Sequence, residues 1–395
     1  MVYVSLGARV LVNVEALNMV ESIGNVTRHR RATIVHKRGD EYVIRVVPAV
    51  SGESLAHAYQ SWVTDLANRE GLPLCDHCAR CEFLKHCDSK LFGRKDWEQA
   101  LALPLQEFDT YQKSKENSKK TPSLDDFVDY LVSKHPSYAR VIKEKVPRIY
   151  SIVKVRNRYR LAYDPHLFEK EIVANCVVED IGGFLFPGAT PVKRTSRFLV
   201  GYMIPAFDAI EKCAIEPQFH VRHSPSQALG TQAQAQMIYY VEIGSAPYVF
   251  SFGIDLNGIG KTSMLKVEDA VGKEEKVRRV EVALRALGLM LDNRLFGAKL
   301  PRFNPVTRYE VVLAAVSKDL PFMVSTPATK EFVFDTLKRM EKFTKVTGSE
   351  AKAFIYAPED IGEEYLKEAE NKAERVANVL DLTEKALEVA LNWLG

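Results

Sequence analysis

From Leu6 to Val14 apolar and polar side chains alternate with a period of two, the pattern of a half-buried strand, and Tyr42–Val50 reads as a second β segment. A helix is predicted next: Ser51 is a candidate N-cap, and Leu55, Tyr59, Trp62 and Leu66 recur at helical spacing. Between Gly71 and about Asp164 the pattern changes to a cysteine cluster, a Lys/Ser/Asn-rich stretch at Gln112–Thr121, and a capped helix from Ser123 to just before Pro136. Strand character resumes with Glu171–Val178, then Arg197–Ile204, Gln218–Arg222 and a hairpin over Met237–Leu256 that turns near Gly244-Ser245. Helices over Glu274–Leu291 and Lys330–Phe343 flank a strand at Arg308–Ser317, and a last strand occupies Ala351–Tyr356. Residues 359–395 form amphipathic helix, with Val376, Val379, Leu380, Leu387, Leu391 and Leu394 as its apolar stripe. With residues 71–165 set aside as an insertion, the order is β-α-β…β-α-β. That is an α+β chain with an RRM-like, ferredoxin-like core in residues 1–70 and 166–358.

Composition leaves this picture intact. With 395 residues, 46% of them apolar and 27% charged, the chain has material for two or three units and excludes wholesale disorder, collagen and coiled coil. No stretch approaches 18 consecutive apolar residues, and Met1 to Leu17 lacks a basic leader and a continuous apolar core, so cytoplasmic residence is expected. The formal charge is only +3, but it is unevenly distributed. Residues 359–395 hold ten acidic and four basic side chains, which leaves a surplus of nine positive charges on residues 1–358. Basic runs at Arg28-His29-Arg30-Arg31, His36-Lys37-Arg38 and Lys193-Arg194-Thr195-Ser196-Arg197 accompany aromatics on a sheet-containing core. Most such runs are solvated faces; here they suit a nucleic acid, whose phosphates take the charge and whose bases can stack.

Cys75-x2-Cys78-x2-Cys81-x5-Cys87 places four of the six cysteines within thirteen residues, close enough to surround one metal ion. A structural zinc held by Cys75, Cys78, Cys81 and Cys87 is expected; an iron–sulfur cluster is the alternative, and His77 or His86 can replace a thiolate. Cys176 and Cys213 read as ordinary core and loop residues. Gly258-Ile259-Gly260-Lys261-Thr262 imitates the end of a phosphate-binding loop, but Asp255 stands where the first glycine belongs, and a turn is the better account. Ser51-Gly52-Glu53-Ser54 can cap its helix or hold a phosphate at the helix N-terminus, capping being the commoner use. His57 and His220 are candidates for acid–base work, yet no nucleophile with a spaced partner accompanies them.

Several strings carry a family resemblance: Leu11-Val12-Asn13-Val14-Glu15-Ala16-Leu17-Asn18, Val47-Pro48-Ala49-Val50-Ser51-Gly52-Glu53-Ser54-Leu55-Ala56-His57, Asp180-Ile181-Gly182-Gly183-Phe184, Gly201-Tyr202-Met203-Ile204-Pro205 and Gln218-Phe219-His220-Val221-Arg222. Over about residues 6–70 and 170–325 the chain resembles the archaeal DevR-type CRISPR-associated backbone subunit of type I-A Cascade interference complexes, within the RAMP superfamily. The resemblance implies a non-catalytic, crescent-shaped subunit. It would polymerise in further copies along a guide RNA (crRNA), present it to target DNA, and work beside other Cascade subunits and a recruited helicase–nuclease, with no membrane partner. Two departures stand out. Relatives usually carry a Gly-Gly-Lys-Arg-Ser-Arg-like loop where this chain has Gly297-Ala298-Lys299-Leu300-Pro301-Arg302-Phe303, and a short cysteine-free segment in place of residues 71–165.

The expected groove residues are Asn18, His29, Arg30, Ser51, Gly52, His57, Lys193, Arg194, Arg197, His220, Arg222, Lys299 and Arg302, mostly phosphate contacts, with His220 as a stacking ring. The alternative is a RAMP endoribonuclease that processes CRISPR transcripts or cuts target RNA through His57, His220 or a carboxylate between Val14 and Val50. A metal-cluster nuclease using Cys78, Cys81 and Cys87 is a weaker third.

Overall fold

The structure is a computed structural model and describes all of the chain except residues 85–94, 116–120, 157, 187–190, 223–236, 294–296, 359–368 and 370–371. Along the chain run β1 (Val2–Glu15), β2 (Met19–Ile23), β3 (Val26–His29), β4 (Arg31–Arg38), β5 (Glu41–Pro48) and α1 (Gly52–Arg69). Then come α2 (Lys95–Ser114), α3 (Leu124–Lys134), α4 (Ala139–Ile149), the strands β6 (Tyr150–Val155) and β7 (Arg158–Tyr163), α5 (Pro165–Asn175) and α6 (Val177–Gly182). They are followed by β8 (Phe184–Phe186), β9 (Val192–Arg194), β10 (Phe198–Val200), β11 (Ile204–Pro205), β12 (Ala214–Arg222), β13 (Met237–Asp255) and α7 (Lys273–Asn293). The chain closes with β14 (Val306–Lys318), α8 (Phe332–Thr347), β15 (Ala351–Tyr356), β16 (Glu374–Arg375) and α9 (Val379–Leu394). No helix of the described residues is long and apolar enough to cross a membrane.

Two compact units share these elements. The first comprises Met1–Tyr59, Phe198–Asn257 and Leu284–Gly395. Its large sheet centres on β1, which is antiparallel to β13 on one side and to β14 on the other. β15 extends the sheet beyond β14, and β10, β11 and β12 all pair with different stretches of β13. β1 is buried on both faces over most of its length, which is why its early residues are nearly all apolar. Ser5 and Arg9 are the exceptions. The Ser5 hydroxyl donates to the Phe322 carbonyl, and Arg9 is held by Asp208 at 2.9 Å, Glu310 at 3.0 Å and the Pro327 carbonyl at 3.2 Å. Tyr59 on α1 sets its ring edge-on against Phe198 and Phe252, with ring centres 4.7 and 5.1 Å away.

The hairpin expected in Met237–Leu256 is instead one uninterrupted strand, β13. Gly244 is there because any β-carbon would collide with the Glu15 carboxylate and the Tyr248 hydroxyl, so the glycine admits a buried acid and makes no turn. The tail also packs differently from its expected stripe: α9 buries Val379, Leu382, Thr383, Ala386 and Ala390, and Gly288 of α7 leaves room for Thr383.

The second unit comprises Gln60–Arg197 and Gly258–Ala283, wider than the expected insertion at 71–165. Its core gathers Phe108, Tyr111, Phe127, Leu131, Ile142, Val146, Tyr150, Phe168 and Phe186 from helices and short hairpins. α3 starts where its sequence says, with the Ser123 hydroxyl accepting from the Asp126 N–H. The strand expected at Glu171–Val178 is helical: Asp164 caps α5 with Pro165 at its first position, and burial on nearly every side removes the amphipathic period that would have revealed it. Phe127 is fully buried and meets Phe108 and Tyr111 at 5.0 Å between ring centres. Phe127→Ala is therefore expected to cost this unit about 3–5 kcal/mol, read as a lower denaturant midpoint for its unfolding.

Candidate nucleic-acid interface

β1 ends in a left-handed residue, Val14 at φ 58°, and the chain then turns past Asn18. The Asn18 side-chain oxygen accepts the Ser51 N–H at 2.9 Å, and its carbonyl accepts the Arg30 N–H at 2.9 Å. Ser51 is buried, its hydroxyl accepting the Ser54 N–H at 3.3 Å, so it caps α1. A β-carbon on Gly52 would stand 2.7 Å from the Val200 carbonyl oxygen, which makes glycine a requirement of helix-against-strand packing. The structure thus brings Asn18, Ser51, Gly52 and Arg30 together, but it uses the first three to join β1, β3 and α1. Arg30 is half-buried and donates to the Tyr202 hydroxyl at 3.3 Å; His57 is on an exposed part of α1.

His29 is not a groove residue. Its ring is fully buried with Nε2 2.5 Å from a Glu15 oxygen and Nδ1 2.7 Å from the Arg30 carbonyl. The same Glu15 oxygen accepts the Tyr248 hydroxyl at 2.6 Å, and burial beside Glu15 raises the Tyr248 pKa well above the ordinary tyrosine value.

A different surface forms where β12 and β13 approach the 297–303 loop. His220 stacks on Tyr239 with ring centres 5.2 Å apart and planes 17° apart, and meets the edge of Phe303 at 5.5 Å. Arg302 is exposed and donates to the Tyr239 hydroxyl at 2.7 Å. Lys299 adopts φ 56°, and its carbonyl accepts the N–H groups of Arg302 and Phe303 in a tight turn. That turn is anchored by Ala298 N–H to the Leu17 carbonyl at 2.7 Å, and Gly297 at φ 92° lies so close to Leu17 that a side chain has no room. Phe219, beside His220 but on the opposite strand face, is 55% exposed and edge-on to Tyr240. Arg222 ends β12 opposite Met237. Sequence reasoning missed Phe219, Tyr239 and Phe303; Phe219 and Tyr239 lie on the paired strands around His220, whereas Phe303 comes from a loop far along the chain that no local pattern ties to them.

In the second unit the basic string divides. Lys193 is exposed, Arg197 is half-buried with its N–H on the Ile181 carbonyl, and Arg194 is wholly buried. Arg194 gives all five guanidinium donors to protein: Nε to the Asp180 carbonyl, Nη1 to Glu169 and the Lys261 carbonyl, Nη2 to the Asp180 carboxylate at 2.5 Å and the Gly258 carbonyl. None is left for a phosphate, so Arg194 leaves the groove set. Asp180 also accepts Arg279 Nη1 at 2.7 Å and the Gly260 N–H at 2.8 Å. The Gly258–Thr262 string is thus a cradle for an internal carboxylate and arginine.

The cysteines also regroup. Cys75 and Cys78 are buried with Cys176 and Glu179, their ligand atoms all within 4.8 Å of one another, whereas Cys81 is outside this set at a half-exposed, left-handed turn. Cys87 and His86 lie outside the described residues. His77 points its Nδ1 at Glu82, 2.8 Å away. Hydrogen bonds from Cys176 and Cys78 hold the Cys75 thiol down at about 4, while burial pushes Cys176 up to about 11; Cys78, donating to its two neighbours, is pushed up as well.

A sequence profile described as CRISPR-associated negative auto-regulator DevR/Csa2 matches residues 6–337. The "CRISPR-associated aCascade subunit Cas7/Csa2 2" of Saccharolobus solfataricus is 35% identical over 364 residues, 91% of this chain and 93% of that protein. The "CRISPR-associated protein Cas7/Csa2 1" of the same organism is 32% identical over 87% of this chain and 88% of that protein. Among solved structures, a chain of a "CRISPR RNA-guided surveillance complex, pre-nicking" superposes at TM-score 0.49 with 12% identity, covering 98% of this chain and 99% of that one.

Lys193 and Arg194 are neighbours in sequence with opposite fates. Arg194→Ala leaves Asp180 and Glu169 buried with a partner removed and is expected to cost about 3–5 kcal/mol. Lys193→Ala is expected to stay within about 0.5 kcal/mol of the parent, and chemical unfolding of both variants checks the contrast.

Proposed function

Since the chain belongs to the DevR/Csa2 family of CRISPR-associated proteins, we propose that it is a non-catalytic guide-RNA-binding backbone subunit of a type I-A interference complex. The observation that carries the RNA-binding part is the β12–β13 surface, where the stacked His220–Tyr239 pair, the Phe303 edge and exposed Arg302 combine aromatic rings with a cation. Lys299, Arg302 and Arg30 in the first unit supply charge suited to phosphates, as Lys193 does separately in the second, and nothing in such contacts selects a sequence. Base pairing between guide and target DNA would then read sequence, as in other RNA-guided complexes.

An RRM-like core is supported by the strand order β14–β1–β13–β10/β11, antiparallel throughout, with α1 after β1 and α7 after β13. Association with further copies is supported by the β4–β5 hairpin. Val35, Tyr42, Ile44 and Val46 stand on one of its faces and are 56–77% exposed, a surface that a neighbouring copy would cover. Other Cascade subunits and a helicase–nuclease recruited for cleavage complete the proposed assembly. Binding is favoured over a ribonuclease role by the use made of His220: its ring is packed between aromatics, and its Nε2 has no hydrogen-bond partner among the described residues to orient it as an acid or base.

RNA retention measured against salt tests the reading. The double variant Lys299→Ala, Arg302→Ala is expected to weaken binding equally for unrelated sequences and to reduce the slope of log K against log salt by roughly 0.7 per lost phosphate contact. His220→Ala should weaken binding by about 1–3 kcal/mol for the base that loses its stacking ring. An unchanged slope, or defined cleavage of repeat RNA that disappears in His220→Ala, overturns the proposal.

A further inference from the structure

Cys75 and Cys78 sit on a loop that reaches back to both flanking helices. The Pro73 carbonyl accepts the Val177 N–H at 3.0 Å, and the Cys78 carbonyl accepts the Thr64 hydroxyl at 3.2 Å. Between the two cysteines the backbone tightens: the Cys75 carbonyl takes the Ala79 N–H, and the Cys78 N–H points at the Cys75 sulfur, 3.4 Å away. Outside, Glu82 locks the loop by accepting from Arg80 and His77. Facing them, Cys176 closes α5 and opens α6, and Glu179 stands three residues on, one turn along the same helix face. Each pair has the same spacing, and the four side chains converge in the interior with exposures of 4%, 0%, 1% and 0%.

From this convergence we infer that the protein carries one structural zinc ion, held by Cys75, Cys78, Cys176 and Glu179. A tetrahedral zinc with sulfur ligands at about 2.3 Å sets its ligand atoms roughly 3.8 Å from one another. The Cys75 sulfur and a Glu179 oxygen are already 3.8 Å apart, and all four donor atoms lie within 4.8 Å, so small side-chain adjustments complete the site. The set is closed and buried, the arrangement of a structural rather than a catalytic zinc. An iron–sulfur cluster would require the thiolates to spread around several irons and inorganic sulfides, and the donors converge too tightly for that. Binding displaces the thiol protons to solvent and balances the ion with the charge left on the ligands. The Cys78 N–H on the Cys75 sulfur is the kind of outer hydrogen bond that orients a thiolate ligand.

The ion joins residues 75–78 to the α5–α6 junction. Because Asp180 follows Glu179 and holds both Arg194 and Arg279, it also fixes the start of the helix on which the second unit's buried ion pairs depend. This inference stands apart from the RNA-binding reading, since it concerns only the interior of one unit.

The test uses the full chain purified without chelator. Elemental analysis is expected to find about one zinc per chain, and zinc-edge X-ray absorption three sulfurs near 2.3 Å with one oxygen near 2.0 Å. Cys81→Ala and Cys87→Ala should each keep the full zinc content, whereas Cys176→Ala and Glu179→Gln should lower it. If the last two fail to fold, the absorption spectrum of the parent and zinc retention in the first two decide. Folded protein that neither contains nor takes up zinc overturns the assignment. So do a four-sulfur shell, an iron–sulfide chromophore, a disulfide among Cys75, Cys78 and Cys176, or zinc lost with Cys81→Ala or Cys87→Ala.

Discussion

A carboxylate taken out of water must find donors, and three buried carboxylate or guanidinium centres organise the described chain. Glu15 is wholly enclosed, accepts from the Tyr248 hydroxyl and the Leu17 N–H, and stands 2.5 Å from His29 Nε2. Asp180 is wholly enclosed and accepts from Arg194, Arg279 and the Gly260 N–H. Arg9 is the mirror case, a buried cation between Asp208 and Glu310. Each centre joins segments far apart in sequence, and removing one partner from such a pair costs about 3–5 kcal/mol because the other stays behind uncompensated. Several half-buried or exposed cations stand next to these centres. Arg30 follows His29, Lys193 precedes Arg194, and the turn containing Lys299 and Arg302 hangs on Leu17, two residues past Glu15.

This constraint explains which parts of the candidate site were legible. A count of basic residues treats His29 and Arg30, or Lys193 and Arg194, as equivalent. In a strand, neighbouring side chains point to opposite faces, so only one member of each pair can face solvent. Period and position were visible; which member was buried depended on carboxylates more than ten residues away, such as Glu15 for His29 and Asp180 for Arg194. The same holds for the cysteines. Cys75 and Cys78 declare themselves by spacing, whereas Cys176 looks like a core residue until α5 and α6 fold it against them.

The fold was read well wherever burial was one-sided. The Ser123 cap and the periodicity of α7 both survive, and β1 is a strand as expected although both of its faces are buried. It was read wrongly where burial was complete: α5 and α6 lose their helical period, and Gly244 mimics a turn while it serves as clearance for Glu15. The α9 stripe was displaced for a related reason, since Gly288 and Thr383 set the face by fit rather than by hydrophobicity.

The near-zero net charge acquires a physical meaning from this division. A subunit that repeats along an RNA must attract phosphates while tolerating its own copies, and a uniformly basic surface would oppose the second requirement. Here part of the positive charge is spent internally, on Arg9, Arg194 and Arg279, and the acidic tail offsets more of it. Exposed cations are spread over many elements, Arg28, Lys37, Arg38, Lys338 and Arg339 among them; beside the aromatic surface stand exposed Arg302, bound to the Tyr239 hydroxyl, and half-buried Lys299 on its turn, and half-buried Arg30 donates to Tyr202. Cations fixed in place by aromatic hydroxyls lose less freedom on meeting a phosphate than free lysines do, so a few can hold a backbone. In the proposed role that economy suits the task, because the protein grips the guide without reading it and leaves the base edges free for pairing.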